Sequence, residues 1–174
     1  LLPLIRLRML SVALLWNSRD ELLMMKRSPL RTLSPGLWGA VGGHMEPDEL
    51  NDPRAACMRE VFEETGLTEG DIAELELRYV LLRLNGAEIR QQFFYIGRTN
   101  CDPRVATSEG ELHWVARAEV LNRPLPFIFR MLLEHHLSHG VAPGGHPWVG
   151  TAGLNGLDHA PGVLWTPLVD PRQV

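Results

Sequence analysis

The chain has 174 residues, 45% hydrophobic and 22% charged, with a formal net charge of −4. That length suits one domain with a sizeable core, and the acidic balance argues against a nucleic-acid polymer or an anionic membrane as partner. Cys57 and Cys101 are too few for a disulfide framework, so reduced thiols and a cytoplasmic location are expected.

Leu1 to Trp16 is apolar but interrupted by Arg6 and Arg8, too short and too charged to span a membrane, and it lacks a leader-peptide pattern. It starts on Leu1 without an initiating Met, which reads as trimming. Alternation through Ile5-Arg6-Leu7-Arg8-Met9 predicts a strand over 5–16. The polar turn Asn17-Ser18-Arg19-Asp20 leads into a second strand over 21–26. A loop rich in Ser, Pro and Arg follows from Arg27 to Pro35, then a short strand over 37–42 that runs into Gly42-Gly43. A helix is expected from about Pro53 to Thr65, with Asp52 as cap, Pro53 in the first position and Gly66 as the left-handed stop. Ala55, Met58 and Phe62 are its expected sheet-packing residues, and Ala56 leaves room over the opposite face. Strands over 73–83 and 89–98 flank Asn85-Gly86, a type I′ hairpin signal. A strand over 111–116 precedes a helix interrupted by Pro124 and Pro126, with its main part from Phe127 to His139. His135, His136 and His139 include an i, i+4 pair, but polar and cationic residues are favoured at a helix C-terminus anyway, so they read as structural. Residues 1–140 form the expected domain. Beyond it, 141–174 is rich in Gly and Pro, and its Trp148–Thr151 and Val163–Thr166 segments form either a small appended hairpin or part of a disordered tail. Strands alternating with helices give a mixed-sheet α/β sandwich.

On the helix, Glu60, Glu63 and Glu64 stand at i, i+3 and i+4 and share one face. Like charges so spaced repel by a few tenths of a kcal/mol per pair, roughly. A fold that keeps them either leaves the face in solvent or places a cation there, and hard carboxylate oxygens suit Mg2+ or Mn2+ better than Zn2+. Arg59 beside them is placed to hold a carboxylate in one rotamer. Gly42 and Gly43 allow backbone to approach a metal or a phosphate closely.

These residues resemble the Nudix box, G-x5-E-x7-R-E-U-x-E-E-x-G-U with U a bulky aliphatic. Gly43 and Glu49 match its start, and the run from Arg59 through Val61, Glu64 and Gly66 to Leu67 matches its end. The departure is spacing: nine residues rather than seven separate Glu49 from Arg59, which puts the position of Glu49 in question. The resemblance implies a Nudix-like α/β/α sandwich and Mg2+-dependent hydrolysis (Mn2+ as alternative) of a nucleoside diphosphate linked to another group, with a nucleoside triphosphate favoured. It implies Glu60, Glu63, Glu64 and Arg59 as catalytic residues, and the Gly42 carbonyl with the three glutamates as the metal shell. A further acidic residue is expected near Trp114, Glu111 ahead of Glu109. Arg27 and Arg31 are phosphate candidates, and Trp38, Phe93 and Tyr95 are candidates for stacking on a base. His44, at a variable box position, is expected at the site mouth. The expected partner is a nucleotide or nucleotide conjugate, and a homodimer is compatible with the sequence. Two other functions are weighed: a Nudix-fold isomerase of isopentenyl diphosphate, which relies on a catalytic Cys, and a non-catalytic nucleotide-sensing domain.

Overall fold

A computed structural model describes residues 5–30, 35–154 and 159–172. Its organising element is β1 (Arg6–Trp16). Leu14 and Trp16 join one hydrophobic cluster and Ala13 and Leu15 another, so the C-terminal half of the strand is buried on both faces, while Arg6, Leu7 and Arg8 at its start are exposed. β1 runs parallel to β6 (Glu88–Arg98) along its whole length. Over Leu10–Ala13 it pairs antiparallel with β4 (Val41–His44). It meets β2 (Glu21–Arg27) only at Trp16 and Leu22, beside their turn.

The two strands therefore splay apart, and this divergence splits the single strand expected over 37–42. β3 (Trp38–Gly39) bonds to β2 and β4 bonds to β1, with Ala40 between them. One straight strand cannot satisfy two diverging partners. β7 (Gly110–Ala116) pairs antiparallel with the far side of β2. On the other side the sheet continues from β6 to β5 (Ala73–Asn85), then to β8 (Trp148–Leu154) and β9 (Pro161–Pro167). Parallel β1–β6 and β5–β8 ladders among antiparallel ones make the sheet mixed, as expected. The segment beyond Gly140 thus adds two strands to the same sheet. The β5–β6 turn is displaced by one residue from expectation. Asn85 pairs with Glu88, leaving Gly86-Ala87 as the loop, and among these only Gly86 has a positive φ, of 61°. That is the pattern of a type II′ turn rather than type I′.

α1 (Pro53–Thr65) covers one face of the sheet. Its start is fixed by the Asp52 carboxylate, which accepts from the Ala55 N–H at 3.0 Å, and its end by Gly66 at φ 74°. The buried stripe is Ala56, Cys57, Val61, Glu64 and Thr65, not Ala55 and Phe62; Phe62 is 56% exposed. The helix is rolled so that its acidic side faces the glycines of β4, which turns Phe62 to solvent. α2 (Phe127–His139) covers the opposite face through Ile128, Phe129, Leu132 and Leu133. Together the layers form the expected α/β/α sandwich. No helix among the described residues is long and apolar enough to cross a membrane.

Candidate active site

α1 delivers its carboxylates to β4 where it pairs with β1, beside the gap left by the splaying of β1 and β2. Ser11, buried on β1, donates to the Pro53 carbonyl at 2.6 Å and pins the first turn of the helix to the sheet. The Glu60 carboxylate lies over Gly43, where an added Cβ would sit 2.7 Å from its oxygens. One turn on, Glu64 Oε2 accepts the Gly42 N–H at 2.9 Å. Gly42 has φ 149°, and a Cβ there would collide with the Ser11 carbonyl and the Val12 Cα. Both glycines are required by close approach. Glu63 stands further out, with its side chain 55% exposed.

Arg59 binds this group together. Its Nε and one terminal nitrogen form a fork on Glu49, at 2.7 and 2.9 Å. The other terminal nitrogen donates to Glu60 at 2.9 Å and to Glu63 at 3.1 Å. Arg59 also donates to the His44 carbonyl at 3.0 Å. The fork shows that the two extra residues of the box do not displace Glu49: they are absorbed between the short 3-10 turn at Pro47–Glu49 and α1, where Leu50 and Asn51 face solvent or its margin.

Burial raises the Glu60 carboxyl above its usual range against the pull of Arg59, with Glu63 and Glu109 adding repulsion. Burial pushes Glu64 up to about 8; the Gly42 N–H opposes the rise, while Glu109 and Glu60 reinforce it. Desolvated, mutually repelling carboxylates of this kind match a divalent cation by charge and by hard oxygen donors. Among the described residues no three acidic, His or Cys side chains already converge on a single point. Arg59 and Gly42 hold the carboxylates instead.

The site opens on a cavity of about 590 Å3, lined by Gly42, Gly43, Glu60 and Arg59 at one end. Arg27 and His44 also line it. Arg31 lies outside the described residues. The aromatic candidates are not where they were expected. Phe93 and Tyr95 pack in the α1-side cluster, whereas the cavity lies on the α2 side and takes Phe94. Successive β6 residues face opposite ways, so one position decides the matter. Trp38 does not line the cavity either; its ring lies under the Arg123 guanidinium, 5.1 Å away.

Glu111 is a further correction. Its side chain is 77% exposed and sits 3.4 Å from His113, outside the cavity, opposite Lys26 on the next strand. Glu109 lines the cavity instead. The turn before β7 folds back because the Ser28 N–H donates to the Glu109 carbonyl at 2.9 Å, and Gly110 lets the backbone press against the Lys26 carbonyl. The parity that places Trp114 against the α1-side cluster holds only within β7, and Glu109 precedes it. Gly110 is flanked by both glutamates, so the sequence carried no signal that separates them. Cys57 is fully buried in the same cluster and burial pushes its thiol up to about 12, so it presents no thiolate to the cavity and the Cys-dependent isomerase chemistry has no support here.

A family model described as NUDIX domain matches residues 7–134. The bovine (Bos taurus) m7GpppN-mRNA hydrolase NUDT17 is 43% identical over 60 residues, which are 33% of this chain and 19% of that protein. The chain therefore spans about a fifth of the length of this curated relative. The MutT protein of Methanosarcina mazei Go1 superposes with a TM-score of 0.62 at 28% identity, covering 75% of this chain and 93% of that one. The MutT protein of Bacillus halodurans superposes with a TM-score of 0.65 at 20% identity, over 93% and 99%.

Proposed function

The chain belongs to the Nudix family, and from that premise we propose that it hydrolyses a phosphoanhydride bond in a nucleotide or nucleotide conjugate. The observation that carries this reading is the position of Glu60 over Gly43 and of Glu64 on the Gly42 N–H, at one end of a cavity large enough for a nucleotide. Glu60, Glu63 and Glu64, with the Gly42 backbone, would hold Mg2+ or Mn2+, which when bound neutralises charge on a diphosphate and acidifies water.

The protein's own groups supply the rest. Arg59 keeps Glu60 and Glu63 in fixed rotamers while Glu49 holds Arg59. Arg27, on the cavity wall, meets the phosphate on the leaving side. Glu109, rather than Glu111, takes the proton from water as its oxygen bonds to phosphorus; the anhydride P–O bond then breaks and the leaving phosphate departs as an anion. The substrate in the bovine relative's name supports the type of bond over a 60-residue match. A nucleoside triphosphate is the simplest substrate of this class. The test is to incubate purified protein and Mg2+ or Mn2+ with a panel of nucleoside triphosphates and diphosphate conjugates. The expected products are a nucleoside monophosphate with either pyrophosphate or a phosphorylated partner. Phosphate released from a simple monoester, with no anhydride cleaved, would overturn the proposal.

A further inference from the structure

The wall remote from the glutamates is basic. Arg90 on β6 stands in register with Arg8 of β1 on one side and Arg83 of β5 on the other. Three guanidinium side chains therefore occupy one rung across adjacent strands, and Arg83 and Arg90 line the cavity. Among the described residues a single carboxylate bonds to this rung: Glu88 accepts from Arg8 Nε at 2.7 Å and from Arg90 Nε at 2.6 Å. Arg8 has a second neighbour in His44 Nε2, at 3.0 Å. Arg83 has neither. Its Nε is buried with no acceptor among the described residues. Burial and the facing Arg90 both push the Arg83 guanidinium below its ordinary pKa.

We propose that this arginine rung is a subsite for a phosphomonoester carried by the substrate on the side away from the anhydride that is cleaved. The inference rests on the hydrolase reading above and narrows its substrate class. Three cations against one carboxylate leave an excess that a phosphate dianion matches, whereas a neutral base edge would leave it standing. Guanidinium forks also fit phosphate oxygens geometrically. The distance is suitable. Gly43 is level with Ser11, three residues along β1 from Arg8, and Arg90 lies two strands from β4. That sets the backbones roughly 14 Å apart, and the long side chains close much of the gap. Beyond the arginines the wall is mostly apolar, with one polar side chain: Gln92 stands beside Leu10 on the next rung, followed by Val12 and Phe94, with Ile128 and Phe129 from α2. A nucleoside fits that middle section, with its anhydride at the glutamates and a ribose phosphate at the arginines.

Binding measured in EDTA keeps metal and hydrolysis out of the test, so its failure would leave the hydrolase reading intact. The probes are the 2′- and 3′-monophosphates of adenosine and guanosine, their parent nucleosides, and inorganic phosphate. At least one nucleotide is expected to bind ten times or more tighter than its nucleoside, with affinity falling as salt rises. Arg83→Gln and Arg90→Gln should each remove the preference. Arg83→Gln removes a half-buried guanidinium whose Nε has no acceptor among the described residues, so melting temperatures will show both variants folded; Arg83→Lys keeps the charge without the fork and should retain part of the preference. Equal binding of nucleotide and nucleoside, or a preference that survives in both Gln variants, overturns the proposal. Inorganic phosphate binding as tightly as every nucleotide would mark a site for the free anion and overturn it too.

Discussion

Gly43 and Glu60 form a pair in which each explains the other: the carboxylate occupies the volume that any side chain at 43 would need. Glu64 is similarly tied to the Gly42 N–H. Replacing either glutamate by glutamine keeps the volume and removes the capacity to present a carboxylate to a cation. Glu60→Gln and Glu64→Gln are each expected to cut kcat by on the order of 10²-fold or more. Without metal Glu64→Gln should melt within a few degrees of the wild type, because burial already keeps that carboxyl largely protonated below about 8. Activity within a few-fold of wild type in both would defeat the assignment. The second acidic assignment separates two neighbours. Glu109→Gln is expected to lower kcat by roughly 10²–10⁴-fold, while Glu111→Gln, on an exposed strand edge, should leave it within about twofold. Steady-state kinetics on one anhydride substrate decide between them. The glutamates of α1 were legible because i, i+3, i+4 spacing on a capped helix leaves little freedom. Glu109 was not, since its direction depends on a turn held by a hydrogen bond from Ser28.

Among the elements, α2 with the β8–β9 hairpin builds a cluster of its own. The His135 ring stacks on His139 at 4.4 Å and on Trp165 at 4.8 Å, and its Nδ1 meets the Tyr79 hydroxyl at 3.1 Å. Gly150 makes room for the Trp165 ring, which an added Cβ would strike. Burial pushes His135 and His136 down to about 4. The unfolded imidazoles titrate near 6.5, so between about 6.5 and 4 the unfolded chain binds more protons. Stability from these groups is then present above 6.5 and lost as pH falls to about 4. Glu64, raised to about 8, acts in the opposite sense over part of that range. The signature is therefore a difference: the wild type should lose stability relative to His135→Phe/His136→Leu as pH drops from about 6.5 to 4 in urea melts followed by Trp fluorescence. Parallel pH curves would refute it. Expected and observed bounds agree for α1 and α2 because caps and prolines act locally. The split of β3 from β4 depended on the angle between β1 and β2, which no local pattern encodes.

For the whole molecule, a cation bound only by the folded state stabilises it by mass action. At about 100 times its Kd the gain is about 2.7 kcal/mol, or roughly 5–10 °C in Tm for a chain of this size. Thermal melts in Mg2+ and Mn2+ should show that rise in wild type and lose most of it in Glu64→Gln; equal shifts in both would place the cation elsewhere. The sequence alone determined the α/β class, the capped acidic helix, the glycines it packs on and the family resemblance, because each rests on spacing within a few residues. The two-residue insertion left the helix phase intact, since a loop absorbs length without rephasing a helix, but the place of Glu49 was settled only by the Arg59 fork in the folded chain. Which way each strand faced its two layers was decided only in three dimensions. The face of β6 that carries Phe94 rather than Phe93, the fold-back of Glu109 and the rung of Arg8, Arg90 and Arg83 all follow from register between strands distant in the chain. A shift of one residue would have reversed each of them, because side chains on a strand alternate with period two.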